Sequence, residues 1–175
     1  MHKMILSGVI CLMAPILLAG GNIQPLKIKP GLWQETITST TSGQPPIPPG
    51  TLDKLTPEQR AKFEAAMKAR ASKGPQTRTF KHCVTQEDLN KDPFGEDKKS
   101  CTRTVLTSTG SKMEVHEVCT SNGGVKTDLT VHIEALDSEN VKASIHVNAA
   151  GGGRTMNGDS NITAKWLGPA CPGKK

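Results

Sequence analysis

The chain has 175 residues, 22 basic and 16 acidic side chains, a net charge of +6 at pH 7, and only five aromatic residues, two Trp and three Phe. That length favours one domain, and an apolar fraction of 35% supports one modest hydrophobic core that needs additional bracing. The composition excludes a polytopic membrane protein and a coiled coil.

The N-terminal residues are typical of a cleaved export signal. Lys3 supplies a positive start, Met4 to Leu18 is an uncharged and mostly apolar run, and Ala19-Gly20-Gly21 offers small residues to a signal peptidase. A helix of this run is roughly 22 Å long, shorter than the roughly 30 Å hydrocarbon core of a membrane. We therefore expect a signal peptide within residues 1–21 that is cleaved after Ala19 or Gly21, and we expect no stable transmembrane anchor.

Two details of the leader refine this prediction. Cys11 lies inside the apolar run and not directly after a small-residue lipobox, which disfavours lipid anchoring. Removing Lys3 with the leader lowers the net charge by one, and the mild positive excess that remains favours anionic surfaces such as lipid head groups.

Four cysteines remain after the leader: Cys83, Cys101, Cys119 and Cys171. An even number in an exported chain predicts two disulfides, for which three pairings exist. Neighbouring cysteines are at least 18 residues apart, so the closely spaced pairs of a tetrathiolate zinc site are missing. We expect Cys83 to pair with Cys101 and Cys119 with Cys171, each disulfide contributing roughly 2–4 kcal/mol of stability.

The mature chain begins with a predicted strand and a linker. Residues 30–40 are rich in β-branched side chains after a Pro-Gly turn, and the strand period places Trp33 and Ile37 on one face, with Trp33 in the core. Residues 42–50 contain four prolines, which cannot donate to a sheet, and predict a stiff linker.

A single longer α-helix follows. Thr56 and Gln59 form a capping box around Pro57 at the first helical position, and the helix is predicted to end near Ser72, before Gly74-Pro75. Its apolar stripe is thin and interrupted by charges, which predicts a solvated helix held weakly by Phe63 and Met67.

From Thr77 onward the pattern predicts strands separated by turns, within residues 78–85, 101–107, 112–120, 125–135 and 141–148 and around 162–166. A short turn capped by Thr85 and Asp88 precedes the polar stretch 95–100. Turns are predicted at Asn122-Gly123 and at residues 151–153. Strict alternation over 125–148 predicts an antiparallel pair with one wet face, in which Ile133 faces Ala143 and Val131 faces Ile145.

Together these elements predict one mainly β domain over residues 22–175. We expect an antiparallel meander of about seven strands, a curled sheet or partly open barrel, with one α-helix in a Pro-rich and helical insertion at about 42–74. Each strand is expected to lie beside its neighbour in sequence.

No set of residues predicts a catalytic, cofactor or metal site. His132 and His146 are expected to be diagonal neighbours on the wet face, but two imidazoles without a placed carboxylate make a poor metal site, and surface roles are favoured for these and for His82 and His116. Gly158-Asp159-Ser160 spells a motif of lipid-ester hydrolases, but no His follows it. Serine-hydrolase, zincin, P-loop and dinucleotide motifs are missing, and dispersed basic and aromatic residues disfavour nucleic acid.

Several landmarks resemble a known family: Pro30-Gly31-Leu32-Trp33, the Pro-rich segment followed by Leu55-Thr-Pro-Glu-Gln-Arg-Ala-Lys, Phe80-Lys-His-Cys83-Val-Thr, Cys101, Cys119, and Lys165-Trp166-Leu167-Gly168-Pro-Ala-Cys171. In this arrangement the chain resembles the bacterial family called domain of unknown function three-six-one-seven, from Pro30 to Cys171. The resemblance implies an exported periplasmic protein of a Gram-negative bacterium. It implies no catalytic residue, because the family has no established activity.

Two functional hypotheses remain. The first is a non-enzymatic periplasmic module that binds a ligand or an envelope partner through its curled sheet. The second is a structural or stress-related envelope protein that acts through protein contacts of the Pro-rich and helical insertion. The ligand, the partner and the oligomeric state do not follow from the sequence, and an enzyme is disfavoured because no nucleophile–base pair or metal set assembles from these residues.

Overall fold

A computed structural model of the protein describes residues 23–71, 73–95, 100–121 and 123–171. The predicted export signal with Cys11, the predicted helix end at Ser72, most of the polar stretch 95–100 and Asn122 of the predicted turn lie outside these residues.

Seven strands form one open antiparallel sheet. In chain order they are β1 Gly31–Gly43, β2 Gln76–Val84, β3 Cys101–Ser108, β4 Lys112–Thr120, β5 Lys126–Ala135, β6 Asn140–Gly151 and β7 Arg154–Gly168. The spatial order is β2-β1-β7-β6-β5-β4-β3, so that β2 and β3 are the two edges and are not paired with each other. This confirms the predicted mainly β architecture.

Two α-helices, α1 Pro57–Ala71 and α2 Gln86–Asn90, and a short 3-10 turn at Leu52–Lys54 complete the described structure. The capping box of α1 forms as predicted: Gln59 N–H donates to Thr56 Oγ1 at 3.3 Å, and Thr56 N–H donates to Gln59 Oε1 at 3.0 Å. Within the described ranges, neither helix combines the length and apolar character needed to cross a membrane.

The strand order departs from a simple meander at one connection. Strands β3 to β7 follow one another in space, but β1 lies between β2 and β7, and the chain must therefore cross from one edge of the sheet to the other between β2 and β3. A long β1 explains this order, because it pairs over most of its length with β7 on one side and with β2 on the other. The described part of this connection contains α2.

The predicted disulfide pairing is wrong. The bonds are Cys83–Cys171, with Cα atoms 5.6 Å apart, and Cys101–Cys119, with Cα atoms 4.0 Å apart. Cys101 and Cys119 lie directly opposite each other in the β3–β4 register. Cys83 lies opposite Leu32 near the start of β1, where β7 also ends, so that Cys171 reaches it just beyond β7.

Alternation along the strands gives the sheet two chemically different faces. The inner face is the one that carries Trp33, and it is mainly apolar; the outer face carries most of the charged and hydroxyl side chains. The predicted register is confirmed, since Ile133 faces Ala143 and Val131 faces Ile145. All strand side chains among the buried apolar residues belong to the inner face: Trp33, Met113, Val115, Val131 and Ala149.

Candidate functional site

An apolar surface crosses the inner face from β1 to β4. Pairing between the strands aligns one row of side chains across five strands: Ile37, Ile162, Ala143, Ile133 and Met113. The next row runs through Ile145, Val131 and Val115. Such rows place apolar side chains side by side at the spacing of the strands, roughly 4.8 Å.

This surface is covered unevenly. Met113, Val115 and Val131, on β4 and β5, are only 3%, 1% and 6% exposed. On β1, β6 and β7 a set of neighbouring side chains stays half-buried, and we call this set the apolar patch: Ile37, Val141, Ala143, Ile145, Val147, Ile162 and Ala164. All residues of the patch belong to one sheet. The helix α1 contacts that sheet at β1.

Two chain segments frame the apolar patch at opposite ends of the strands. At one end, residues 24–29 run across the β3–β4 and β5–β6 turns, where Lys27 N–H donates to Gly110 O and Lys29 N–H donates to Ser138 O. At the other end, Gln44 N–H donates to Thr155 O, and Ile47, which is 9% exposed, packs against the Gly152 backbone. The Pro-rich segment predicted as a linker therefore also packs against the end of the sheet.

The crossover between β2 and β3 is anchored on the inner face by Arg103. Its guanidinium lies 2.8 Å from Glu117 Oε2 and 2.8 Å from Asp92 Oδ2, and it also lies over the ring of Phe94. The Arg103 side chain is 11% exposed. Because β3 is an edge strand, this contact holds the crossover against the sheet beside the buried β4–β5 region.

A polar group interrupts the apolar character of the inner face on β1. Glu35 lies between Trp33 and Ile37 along the strand, opposite Phe80 on β2 and Ala164 on β7. Its side chain is 20% exposed, and its one ion-pair partner in the described part of the chain is His82, whose Nδ1 is 3.7 Å from Glu35 Oε2. Nδ1 of His82 is itself buried and has no hydrogen-bond partner among the described residues.

Most of the aromatic residues of the chain gather around Glu35. Trp33 faces Trp166 across β1 and β7, and the Phe80 and His82 rings lie 5.8 Å apart. Phe80 is 44% exposed, whereas Trp33 is 1% exposed. The Lys29 ammonium lies 4.8 Å from the centre of the Trp166 ring and pairs with Glu139.

The outer face carries a polar network in which three histidines each lie beside a carboxylate. His116 Nε2 is 2.9 Å from Asp128, His146 Nδ1 is 2.7 Å from Asp159, and His132 Nδ1 is 3.6 Å from Glu114. A groove of about 450 Å³ lies on this face, with several charged residues in its lining: Lys112, Glu114, His132, Glu134 and Lys142. These charges are largely paired among themselves, as in Lys112–Glu134 at 3.2 Å.

The predicted relation of His132 and His146 is confirmed, because His132 faces Ser144 and His146 faces Thr130, which makes the two histidines diagonal neighbours. Each contacts its own carboxylate, and the pair does not converge on a common point. Within the described ranges the closest group of possible metal ligands is Cys101, Glu117 and Cys119. Both of its sulfurs are in a disulfide, which leaves no thiolate for a metal ion.

Comparison with known proteins fixes the family. Residues 28–171 match the family described as Protein of unknown function (DUF3617). The chain belongs to that family. No curated protein and no solved structure is detectably similar to this DUF3617 chain.

Sequence reasoning missed the cluster of Glu35, Phe80 and His82 in this DUF3617 chain, which we call the Glu35 corner. It placed Trp33 on the core face of the first strand, but it did not join that strand to the one over residues 78–85, which carries Phe80 and His82. The signal lay in the strand period, which puts Glu35 on the same face as Trp33 and Ile37. A charged residue at an apolar position of a strand is informative, since burying an unpaired carboxylate is costly.

Proposed function

We propose that the protein is exported to the periplasm and acts there as a non-enzymatic binding module that takes an apolar or amphipathic envelope ligand on the apolar patch. The observation that carries this proposal is the half-buried state of the patch. Seven apolar side chains adjoin one another on β1, β6 and β7. Contiguous exposed apolar surface in a soluble protein commonly marks a binding site.

Export to the periplasm is supported by the leader and by the cysteines. Residues 1–21 have the charge, length and small-residue cleavage region of a signal peptide. All four remaining cysteines are paired in two disulfides, and disulfides persist in oxidising compartments such as the periplasm.

The compartment is tested by expressing the full chain in a Gram-negative host and measuring the intact mass of the protein released by osmotic shock. The proposal expects loss of residues 1–19 or 1–21 and no thiol that reacts with an alkylating reagent. A product that stays in the cytoplasm with its leader attached contradicts export.

A non-catalytic role is supported by how the polar groups are used. The carboxylates of Asp128 and Asp159 contact imidazoles on the exposed outer face, and the two cysteines beside Glu117 are joined to each other. The side chains of the apolar patch are apolar and half-buried, and apolar contact supplies affinity without chemistry.

Binding is tested by titrating the exported, oxidised protein with a fluorescent fatty acid whose emission rises in apolar surroundings. Two adjacent substitutions on β7 give a matched pair: Ile162→Gln removes an apolar side chain from the inner face, and Asn161→Gln introduces the same residue on the outer face. We expect saturable binding that weakens about tenfold in Ile162→Gln and changes less than about twofold in Asn161→Gln.

Asn161 and Ile162 both line the outer groove, but strand alternation places only the Asn161 side chain on the outer face, so the same pair separates the two surfaces. If Asn161→Gln loses binding and Ile162→Gln binds normally, the ligand occupies the groove and not the apolar patch, which contradicts the proposal. Circular dichroism and the melting temperature verify folding of both variants. Ile145→Gln with Ser144→Gln on β6 repeats the comparison if Ile162→Gln fails to fold.

The alternative function is that the insertion at about 42–74 makes protein contacts. Within this insertion, α1 is better suited to such contacts than the Pro-rich segment. Residues 44–48 pack against the end of the sheet, but α1 exposes most of its side chains over the described positions 57–69 and bears charged pairs such as Glu58–Lys62 at 2.7 Å. The variant Lys62→Glu with Lys68→Glu reverses charge on this helix. If α1 binds a partner, co-purification of that partner falls in the double variant, while fatty-acid binding stays unchanged.

A further inference from the structure

We propose that Glu35, with the exposed ring of Phe80, forms a head-group subsite for a primary ammonium group, so that the ligand of the apolar patch is an alkyl amphiphile with a cationic amine head. This inference rests on the proposed function, because it places the head of the ligand beside the surface that takes its chain.

The first argument is the incomplete bonding of Glu35. The separation of 3.7 Å from His82 Nδ1 is too long for a hydrogen bond, and no described residue donates a hydrogen bond to the carboxylate. The Glu35 side chain is 20% exposed, and the carboxylate of a largely covered side chain on an apolar face normally accepts several hydrogen bonds. An ammonium group carries three hydrogen-bond donors and a positive charge. It can therefore donate hydrogen bonds to this carboxylate and also neutralise its charge, which a neutral head group cannot do.

The second argument is the aromatic surface beside the carboxylate. Phe80 lies directly opposite Glu35 and is 44% exposed, and aromatic faces attract cations. The protein already uses this interaction nearby, since the Lys29 ammonium lies over the Trp166 ring at 4.8 Å and pairs with the Glu139 carboxylate. An ammonium between Glu35 and Phe80 would repeat that arrangement, with a ring and a carboxylate as partners.

The third argument is the position of Glu35 relative to the patch. Ala164 and Ile37, two of its members, are the neighbours of Glu35 across β7 and along β1. From Ile37 the row continues through Ile162 and Ala143 to Ile133. This row spans roughly 14 Å at the strand spacing, which offers an alkyl chain a continuous apolar path away from the carboxylate.

Charges near Glu35 set the expected selectivity. The chain as a whole is positive, with a net charge of +6, so non-specific attraction favours anionic amphiphiles. Arg78, opposite Ile37 on β2, is a basic residue of the same face and also favours anions. A measured preference for an ammonium head is therefore specific to the subsite and is not a consequence of net charge.

The test uses decylamine, decanol and decanoate, which share one chain and differ in the head group, together with propylamine, which has the amine and almost no chain. Each is titrated by calorimetry into the exported, oxidised protein at pH 7. We expect decylamine to bind about tenfold more tightly than decanol, and propylamine to bind at least about a hundredfold more weakly than decylamine because it lacks the chain.

Two variants at the subsite and one control variant on the outer face assign the preference to the subsite. Glu35→Gln keeps the shape and removes the charge, and it should abolish the preference for decylamine while leaving decanol affinity within about twofold. Glu134→Gln makes the same change on the outer face and should change nothing. Phe80→Leu should weaken decylamine about threefold through loss of the ring, which keeps the test decisive if Glu35→Gln does not fold.

The outcomes separate this inference from the function on which it rests. Equal binding of decylamine and decanol, tighter binding of decanoate, or an unchanged preference in Glu35→Gln overturns the ammonium subsite and leaves the patch as an apolar site. Propylamine binding as tight as that of decylamine shows that the alkyl chain adds no affinity and contradicts the role of the patch. Absence of binding by all three decyl probes contradicts the proposed function itself.

Discussion

Trp33 and Trp166 face each other across β1 and β7, and each indole N–H donates to the backbone of the segment that leads into β1. Trp33 Nε1 donates to Lys29 O at 2.9 Å, and Trp166 Nε1 donates to Pro30 O at 3.1 Å. The pair therefore joins the first and last strands to the segment that frames one end of the apolar patch.

Trp33 should be the most costly side chain of the sheet to truncate. It is 1% exposed, and Trp33→Ala removes its core packing and its hydrogen bond, so we expect a loss of about 3–5 kcal/mol in the free energy of unfolding. Denaturant unfolding measures this loss. Leu167→Ala, next to Trp166 but 41% exposed, should cost less than about 1 kcal/mol, and equal costs for the two variants contradict the assignment of the core.

The crossover should depend on Arg103. Arg103→Met leaves the carboxylate of Glu117 without its partner at 2.8 Å, and because both side chains are largely buried, we expect a loss of about 3 kcal/mol. The double variant Arg103→Met with Glu117→Leu should recover part of it. Lys112→Met, in a pair exposed by 62% and 48%, should stay within about 1 kcal/mol.

The two disulfides should contribute unequally. Cys83–Cys171 closes a loop with a sequence separation of 88, and Cys101–Cys119 one of 18. Loop-closure entropy predicts that replacing the first pair with serine costs about 1 kcal/mol more than replacing the second. Peptide mapping without reduction tests the pairing itself, and a Cys83–Cys101 peptide would contradict it.

Asp137 should make the β5–β6 turn sensitive to acid. The backbone N–H of Glu139, which donates to the Asp137 carboxylate at 2.7 Å, and then the Asn140 side-chain amide lower the pKa of Asp137 below its ordinary value of 3.8. A lowered folded-state pKa adds stability that is present above the unfolded pKa and is lost as the pH falls through the folded pKa. The melting temperatures of wild type and Asp137→Asn should differ at pH 7 and converge below pH 3.8, and a gap that is constant with pH contradicts this role.

The local sequence pattern predicted most of the strands of the sheet. It could not predict which strands pair when they are far apart in the sequence. The alternation over residues 125–148 was sufficient to set the register of Val131 against Ile145, because a shift by one residue would turn every apolar side chain outward. The capping boxes at Thr56 and Thr85 could also be predicted, because each forms between residues that are close together in the sequence.

The disulfides and the Glu35 corner depend instead on which strands become neighbours. Cys83 reaches Cys171 because β2 and β7 both end near the start of β1, which no local pattern indicates. Glu35 meets Phe80 and His82 for the same reason, since β1 and β2 are separated by the whole insertion. Spacing along the chain alone favoured the wrong cysteine pairing.

The central claim, that the apolar patch is a ligand surface, is tested most directly through the tryptophans. The chain has two, Trp33 and Trp166, and both lie on the inner face. A fatty acid brominated along its chain quenches tryptophan only at short range, so titration of the exported, oxidised protein below the micelle concentration should give saturable quenching that is lost in Ile162→Gln and kept in Asn161→Gln. Quenching that rises linearly without saturation, or that is unchanged in Ile162→Gln, would contradict the claim.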